Sequence, residues 1–510
     1  MSLKISSILH GNFMRKVINP QMQLGEVDIS KIEVDLRSRD EVPKMLLGFQ
    51  YIYTNLKIRD EVFKKLEKMI PEHIDSDNGR PGMELWRILV LGSLRLNCNW
   101  NFDKLEDEAN NHNTIRQMLG VNDTLGMGNR KIFPINTLKQ NISLFTHQVL
   151  EEINKIVVKY AQGEIEKKKD TPIKAHCDSF VVNTNVHYPT DVNLLNDAMR
   201  KTITITKRLC LEKGIEGWRQ GKKLIRECKK QMHLIQNLKR GGGKDKAKKE
   251  KKIKDAHKDY INFAGKILLR VCDNLQVLRK LKLTKRQENK LILIDRYYND
   301  AIRQIDQIRR RVLQGKAIPQ SEKMYSIFER HTEWIVKGKA GVPQELGLKV
   351  CIIKDQFGLI MNHSVMEHLQ DVDLTVPFTL ETKKEFPKMV SCGYDKGFYS
   401  PDNYTALTKI LKTVIMPKKG KLNSAEMERE TSKEFIRERK KHSAVESSIA
   451  ALENHGLDLC PDKGIHGFKR YVALAVLSRN IQILGNVIQQ RELRKLQKNE
   501  EKGRNKPIAA

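Results

Sequence analysis

The stretch KAHCDSFVVNTNVHY, residues 174–188, is where the chain changes character. Val181, Val182 and Val186, with few helix formers among them, predict a strand that runs into a polar loop. Asp178 stands at the start of that strand. A carboxylate inside an otherwise apolar strand is costly unless something offsets its charge, and a divalent metal ion is one such partner.

Upstream, the pattern is helical. RDEVFKKLEKMI (59–70) is amphipathic and stops at Pro71, and DNGRPG (77–82) reads as a turn. MELWRILVLGSLRLN (83–97) reads as a largely buried helix, and NFDKLEDEANNHNTIRQMLG (101–120) as two short ones. Leu138, Ile142, Phe145, Val149, Ile153, Ile156 and Tyr160 recur every three or four positions, predicting one apolar stripe on a single helix.

Downstream, a helical block runs from about Leu194 to Leu313. It is interrupted by GGGKDKAKKEKKIK (241–254), which reads as a basic solvated linker or a DNA contact. Its last helix opens on a capping-box pattern, Thr284-x-x-Gln287. Leu291, Ile294, Tyr298, Ala301, Ile305, Ile308 and Val312 then follow coiled-coil-like spacing. Ile267, Val271, Leu275 and Leu278 supply its packing partners. Strand signals return at SIFERHTEWIVKG, in the hairpin KVCIIKD–QFG–LIMNHSVM, and at KMVSCGYD. A helix (PDNYTALTKILK), a short strand (TVIMP) and one long helix (SAEMERETSKEFIRERKKHSAVESSIAALEN) close the series.

The expected fold is thus mixed α/β. A lead segment (1–45) precedes a helical N-terminal domain (46–165). A core of mixed sheet with flanking helices (171–192 and 325–488) carries a long helical insertion (193–324) after its first strand. A flexible basic tail (489–510) ends the chain.

The 510 residues hold 93 Lys and Arg against 62 Asp and Glu, a formal charge of +31 spread over most of the chain. So positive a surface attracts polyanions, DNA first; a ribosomal, RNA-binding or membrane-surface protein is the competing class. The eight cysteines form no CxxC pair and suit a reducing cytosol. No signal-peptide pattern opens the chain, and the longest apolar run, Tyr471 to Ile488, is broken by Ser478, Arg479 and Asn480. No membrane partner is expected. GKAG (338–341) lacks P-loop spacing, so no nucleotide cofactor is implied.

Two further acids stand out. Asp395 ends the strand KMVSCGYD, just before Lys396. Glu446 lies in the long helix, at offsets that place Arg439, His442, Ser443 and Glu453 on its face. Hard ions such as Mg²⁺ prefer carboxylate oxygens.

The residues around these acids resemble insertion-sequence transposases of the DDE superfamily. The resemblance rests on DSFVVNTNVHYPTDVNLL (178–195), SIFERHTEWIVKGKAGVPQELGLKV (326–350), GYDKGFYSPDN (393–403) and HSAVESSIAALENHGLDLCPDKGIHGFKRYVALAVLSRNIQILG (442–485). Residues 79–120 resemble the group's helical N-terminal domain.

The resemblance implies an RNase H-like catalytic core, with the first Asp on the first strand, the second after the fourth, and the Glu on a following helix. It assigns Asp178, Asp395 and Glu446 as catalytic and metal-binding, holding two Mg²⁺ (or Mn²⁺) ions for phosphodiester hydrolysis and strand transfer at the ends of an insertion sequence. The implied partner is double-stranded DNA, both terminal inverted repeats and target, bound by a homodimer in the bacterial cytoplasm and nucleoid. The N-terminal helices would be DNA-binding. Many relatives carry Tyr, Arg and Lys around the helical Glu; Arg439, His442 and Glu453 occupy those places here. Lys396, Lys418, Lys419, Arg439 and His442 are candidate phosphate contacts, Asp191 a spare ligand or a turn residue, and Trp218 and Trp334 base-stacking or packing residues. The competing readings are a catalytically inactive transposase-derived DNA-binding protein and a structural nucleic-acid-binding protein of other ancestry.

Overall fold

The structure, a computed structural model, describes residues 13–19, 21–22, 26–70, 80–121, 131–165, 171–240, 245–336 and 344–504. Outside them lie Pro71 with the first half of the DNGRPG turn, the glycines of GGGKDKAKKEKKIK, the GKAG segment and the last six residues of the expected tail. The chain is mixed α/β and divides into two units, Met1–Asn185 with Gly347–Ala510, and Val186–Leu346.

Among the described residues, seven helices precede the sheet: α1 (Glu41–Thr54), α2 (Leu56–Glu67), α3 (Leu85–Asn97), α4 (Phe102–Asn111), α5 (Asn113–Met118), α6 (Ile135–Ile142) and α7 (His147–Ile165). Every residue of α3 is buried. The apolar stripe expected on one helix from Leu138 to Tyr160 lies on two. Thr146 Oγ1 accepts the Val149 N–H at 3.4 Å and starts α7 afresh. Phe145, in the turn, is buried like Ile142 and Val149, so burial preserves the spacing across the break. In the lead segment, Phe13–Met14 pairs in parallel with Arg80–Pro81.

Among the described residues, the sheet has seven strands. Those carrying the first unit's core are β1 (Ile173–Thr184), β2 (Gln344–Lys354), β3 (Ile360–Met366), β4 (Met389–Tyr394), β5 (Thr413–Ile415) and β6 (Leu459–Cys460). The main order is β3-β2-β1-β4-β5. β1–β2 and β2–β3 are antiparallel, while β1–β4 and β4–β5 are parallel. β6 adds in parallel to the far end of β1. β1 begins five residues before Asp178, so that acid is interior to the strand, not at its start. The expected strand in SIFERHTEWIVKG shrinks to Glu333–Val336, in the second unit.

The second unit is built on α8 (Asp191–Glu212), α9 (Gly221–Arg240), α10 (Lys246–Lys280) and α11 (Lys285–Ile308). The capping box is present: Thr284 Oγ1 accepts the Gln287 N–H, and the Gln287 side chain accepts the Thr284 N–H. Ile294, Ala301, Ile305 and Ile308 are buried in one core with Ile267, Val271, Leu275 and Leu278. The unit starts earlier and ends later than the expected 193–324 because Tyr188, Tyr325 and Trp334 form an aromatic cluster within it. Asp191 is the first residue of α8 and pairs with Arg311 at 2.6 Å; its spare-ligand reading has no support there. Trp218 is buried, its Nε1 donating to Asn274 Oδ1 at 3.3 Å.

Returning to the first unit, α12 (Asp371–Glu385) follows β3 and α13 (Pro401–Ile410) follows β4. The long helix expected from Ser424 is three: α14 (Ser424–Thr431), α15 (Lys433–Lys440) and α16 (Ser443–Leu452). Ser432 caps α15 by accepting the Phe435 N–H, and the chain turns again at Lys441–His442. Arg439 therefore belongs to a different helix from Glu446, and Glu453 lies beyond α16 in a π-helical turn.

The last helix, α17 (Gly464–Arg504), packs on α1, α3 and α7. The N-terminal helices consequently share one hydrophobic core with the sheet and do not stand as a separate domain. α17 is long and apolar enough to cross a membrane, but 78% of its apolar window is buried inside the protein. The expected flexible tail from residue 489 continues this helix. Gln489 donates to the Leu36 and Ser38 carbonyls, and Glu492 pairs with Lys495 at 2.8 Å; Arg, Glu, Leu, Lys and Gln are all good helix formers.

Asn480, fully buried in α17, ties three elements together. It accepts the Ile360 N–H (2.9 Å) and donates to Asn154 Oδ1 (2.7 Å) and the Ile360 carbonyl (2.9 Å). Asn480→Ala leaves a buried N–H and a buried amide short of partners, at about 1–3 kcal/mol each. Urea unfolding should show a loss of at least about 2 kcal/mol; a loss under about 0.5 kcal/mol, the range of an ordinary surface change, would contradict it.

Candidate active site

The site is set by register. β1 and β4 run parallel with Cys177 opposite Tyr394, so one residue further Asp178 stands beside Asp395, on strands about 4.8 Å apart. Side chains alternate along a strand, so His176 and Asp178 share a face. Lys354 lies opposite His176 on β2 and belongs to that face as well.

α16 covers this face. The buried Lys354 donates from Nζ to the Ala444 carbonyl (2.7 Å) and Ser448 Oγ (3.2 Å), both on α16. That bond fixes the helix whose first turn carries Glu446. His442, one turn before Glu446, places Nε2 3.8 Å from Asp178 Oδ2, and its ring centroid is 6.1 Å from that of His176. Gly393 makes room for His176, since a Cβ there would come within 2.9 Å of the imidazole Cδ2.

Burial, and then the charges of Asp395, Glu446 and Asp371, push the Asp178 carboxyl up to about 6, against a 2.7 Å hydrogen bond from the Ser179 N–H. Burial lowers the pKa of His442, which Asp395 and Glu446 counter and Arg439 and Lys354 reinforce. The His442–Asp178 approach satisfies a distance criterion for an ion pair, yet both ring nitrogens of His442 are buried without a hydrogen bond. At 3.8 Å with a neutral ring near pH 7, it is a contact and not a salt bridge.

Sequence reasoning missed four residues here. His176 was within reach, since it sits two positions before Asp178. Lys354 needed the strand register. Asp371 and Ser179 carried no signal: Asp371, first residue of α12, accepts from Ser179 Oγ (2.7 Å) and Lys349 Nζ (2.8 Å), and neither contact is encoded locally.

Asp178 thus feels the charges of Asp395 and Glu446, and His442 those of Asp395, Glu446 and Arg439. Lys396 and Lys419 are exposed. Lys418 is engaged otherwise, pairing with Glu426 at 2.6 Å, which offsets its charge as a phosphate contact.

Among the described residues, no three His, Cys, Asp or Glu side chains stand at ligating distance of a common point. The donor chemistry nevertheless fits a hard divalent ion: a carboxylate whose burial, and then the charges of its acidic neighbours, raise its proton affinity, beside a histidine with unpartnered nitrogens. Comparison with models of known families, with curated proteins and with solved structures finds no match.

The Asp178 shift has a consequence for stability. Its folded pKa, about 6, exceeds the ordinary 3.8. The favourable contribution is therefore full below the unfolded value and lost as pH rises through about 6. Asp178→Asn should stabilise the protein in urea melts at pH 7.5, and the gain should vanish toward pH 4. A gain that is constant with pH, or a loss at pH 7.5, would contradict this electrostatic account.

Proposed function

We propose that the chain is a DNA transposase of the DDE superfamily with an RNase H-like catalytic core, acting by metal-dependent phosphodiester hydrolysis and strand transfer. One observation carries the reading. Asp178 lies on the first core strand, Asp395 directly after the fourth, and Glu446 on a helix after the fifth, with the first two in adjacent register. This order supports the reading because it is the one the resemblance implies, and it arises from three segments far apart in the chain.

Asp178, Asp395 and Glu446 would hold the ions. Mg²⁺ or Mn²⁺, when bound, supplies Lewis-acid activation of the attacking oxygen and stabilisation of the leaving one. The chain's own residues do the rest. Lys354 holds α16, and hence Glu446, against the sheet. His442 presents an unpartnered ring N–H beside Asp178 that would donate to a phosphate oxygen. Arg439, Lys396 and Lys419 add positive charge for the DNA backbone. The partners are terminal inverted repeats and target DNA, bound by a homodimer, in the bacterial cytoplasm.

The competing reading, an inactive transposase-derived DNA-binding protein, draws on the absence of a pre-assembled metal cluster among the described residues. Titration with Mn²⁺, followed by the electron paramagnetic resonance signal of the free ion, separates the two. The proposal expects saturable binding that Asp178→Asn and Glu446→Gln each weaken at least tenfold. Binding unaltered by either change, or none at millimolar Mn²⁺ with DNA present, favours the inactive protein.

A further inference from the structure

We infer that the exposed face of α9 and the first half of α10 is a surface for the backbone of duplex DNA, a role that rests on the transposase reading and locates one of its DNA contacts. Residues 186–346 hold 39 Lys and Arg against 18 Asp and Glu, so under a third of the chain carries most of its +31. This charge is unevenly compensated. Around α8 and α11, Glu212 pairs with Arg208 and Lys290, Asp295 with Arg279, Asp300 with Arg330, and Asp306 and Glu322 with Arg310.

On α9 the opposite holds. Cys228, Met232 and Ile235 are buried in the bundle. Lys222, Lys223, Arg226, Lys229 and Lys230 are exposed, and among the described residues none of the five has a carboxylate at ion-pair distance. They recur at three- and four-residue steps, hence on one side of the helix. Lys246, Lys248, Lys251 and Lys252 extend the exposed charge along the start of α10. Helices α9 and α10 pack on each other.

The pattern selects among polyanions. A helix lying in a membrane surface needs a free apolar face, and here that face is inside the bundle. Single-stranded nucleic acid is held by aromatic platforms, but neither α9 nor residues 246–259 contain Phe, Tyr or Trp. What remains is charge without stacking, the chemistry of duplex phosphates. The 20 residues of α9 extend about 30 Å, enough to follow several phosphates.

The test uses the full chain and a 40-base-pair duplex, with affinity read by fluorescence anisotropy over a range of NaCl concentrations. Replacing Lys222, Lys223, Arg226, Lys229 and Lys230 together by Gln should cut affinity at least tenfold at 100 mM salt. The slope of log K against log salt should become shallower by about two to four, at about 0.9 per lost phosphate contact. The same positions as Arg should bind like the parent, which with an unchanged melting curve excludes a folding defect. Replacing Lys31, Arg39, Lys384, Lys409 and Lys412 of the first unit, all exposed and outside the N-terminal helices, by Gln is the matched control. An unchanged slope, an equal loss in the control, or tighter binding of a single strand or of phosphatidylserine vesicles overturns the inference. If the parent cleaves duplex DNA while the Gln variant binds normally, only this surface falls; if the parent binds no duplex, the transposase reading falls with it.

Discussion

Asp178→Asn, Asp395→Asn and Glu446→Gln should each abolish DNA cleavage while leaving DNA binding largely intact. Each change keeps the side-chain size and removes a charge that would hold a metal ion. Loss of several kcal/mol of transition-state stabilisation corresponds to a rate fall on the order of 10³ or more. On the proposed reading, binding rests on the basic surface and should survive or tighten, because a negative charge near the phosphates is gone. A gel shift and a cleavage assay on the same preparation, with Mg²⁺ and with EDTA, read both effects. Cleavage that persists in all three variants would place the chemistry elsewhere.

The largest effect on stability should come from a glycine pair. Where α17 crosses α1, a Cβ on Gly485 would lie 1.8 Å from the Lys44 carbonyl oxygen, and one on Gly48 would lie 2.4 Å from the Ile481 oxygen. Both obstacles are backbone, so the helices must move apart. Gly485→Ala should cost about 3 kcal/mol or more, the upper end of overpacking, and Gly485→Leu should prevent folding. Gly163 on α7 is the internal contrast: it is exposed, with nothing within 4 Å of its would-be Cβ. Gly163→Ala should stabilise by about 0.5–1 kcal/mol through helix propensity and unfolded-state entropy. Denaturant midpoints that move the same way in both variants would show that the crossing is not as tight as described.

This crossing also explains what could be read from the sequence. The hairpin from Lys349 to Met366, the capping box at Thr284 and Gln287, and the strand after which a helical block begins are local patterns, and the structure contains them. Helix ends leave no local pattern where burial continues across a turn, as at Phe145, or where a polar run of good helix formers hides a cap, as at Ser432. The union of the N-terminal helices with the sheet depends on Gly48, Gly485 and Asn480, hundreds of residues apart in two cases, and no local pattern encodes it. The same holds at the site. The three acids were visible as acids in apolar or helical settings. Lys354 bonding α16, and Asp371 reaching Ser179 and Lys349 from the N-terminus of α12, become visible only once the register of β1 and β2 is known.

The central claim is tested most directly by incubating the full chain with duplex DNA from the two flanks of its own coding sequence, in Mg²⁺ or in EDTA, and mapping the ends formed. The account predicts Mg²⁺-dependent breaks that leave 3′-hydroxyl groups and disappear in Glu446→Gln. Breaks made equally in EDTA or by Glu446→Gln, or none at all in Mg²⁺ and in Mn²⁺, would contradict it.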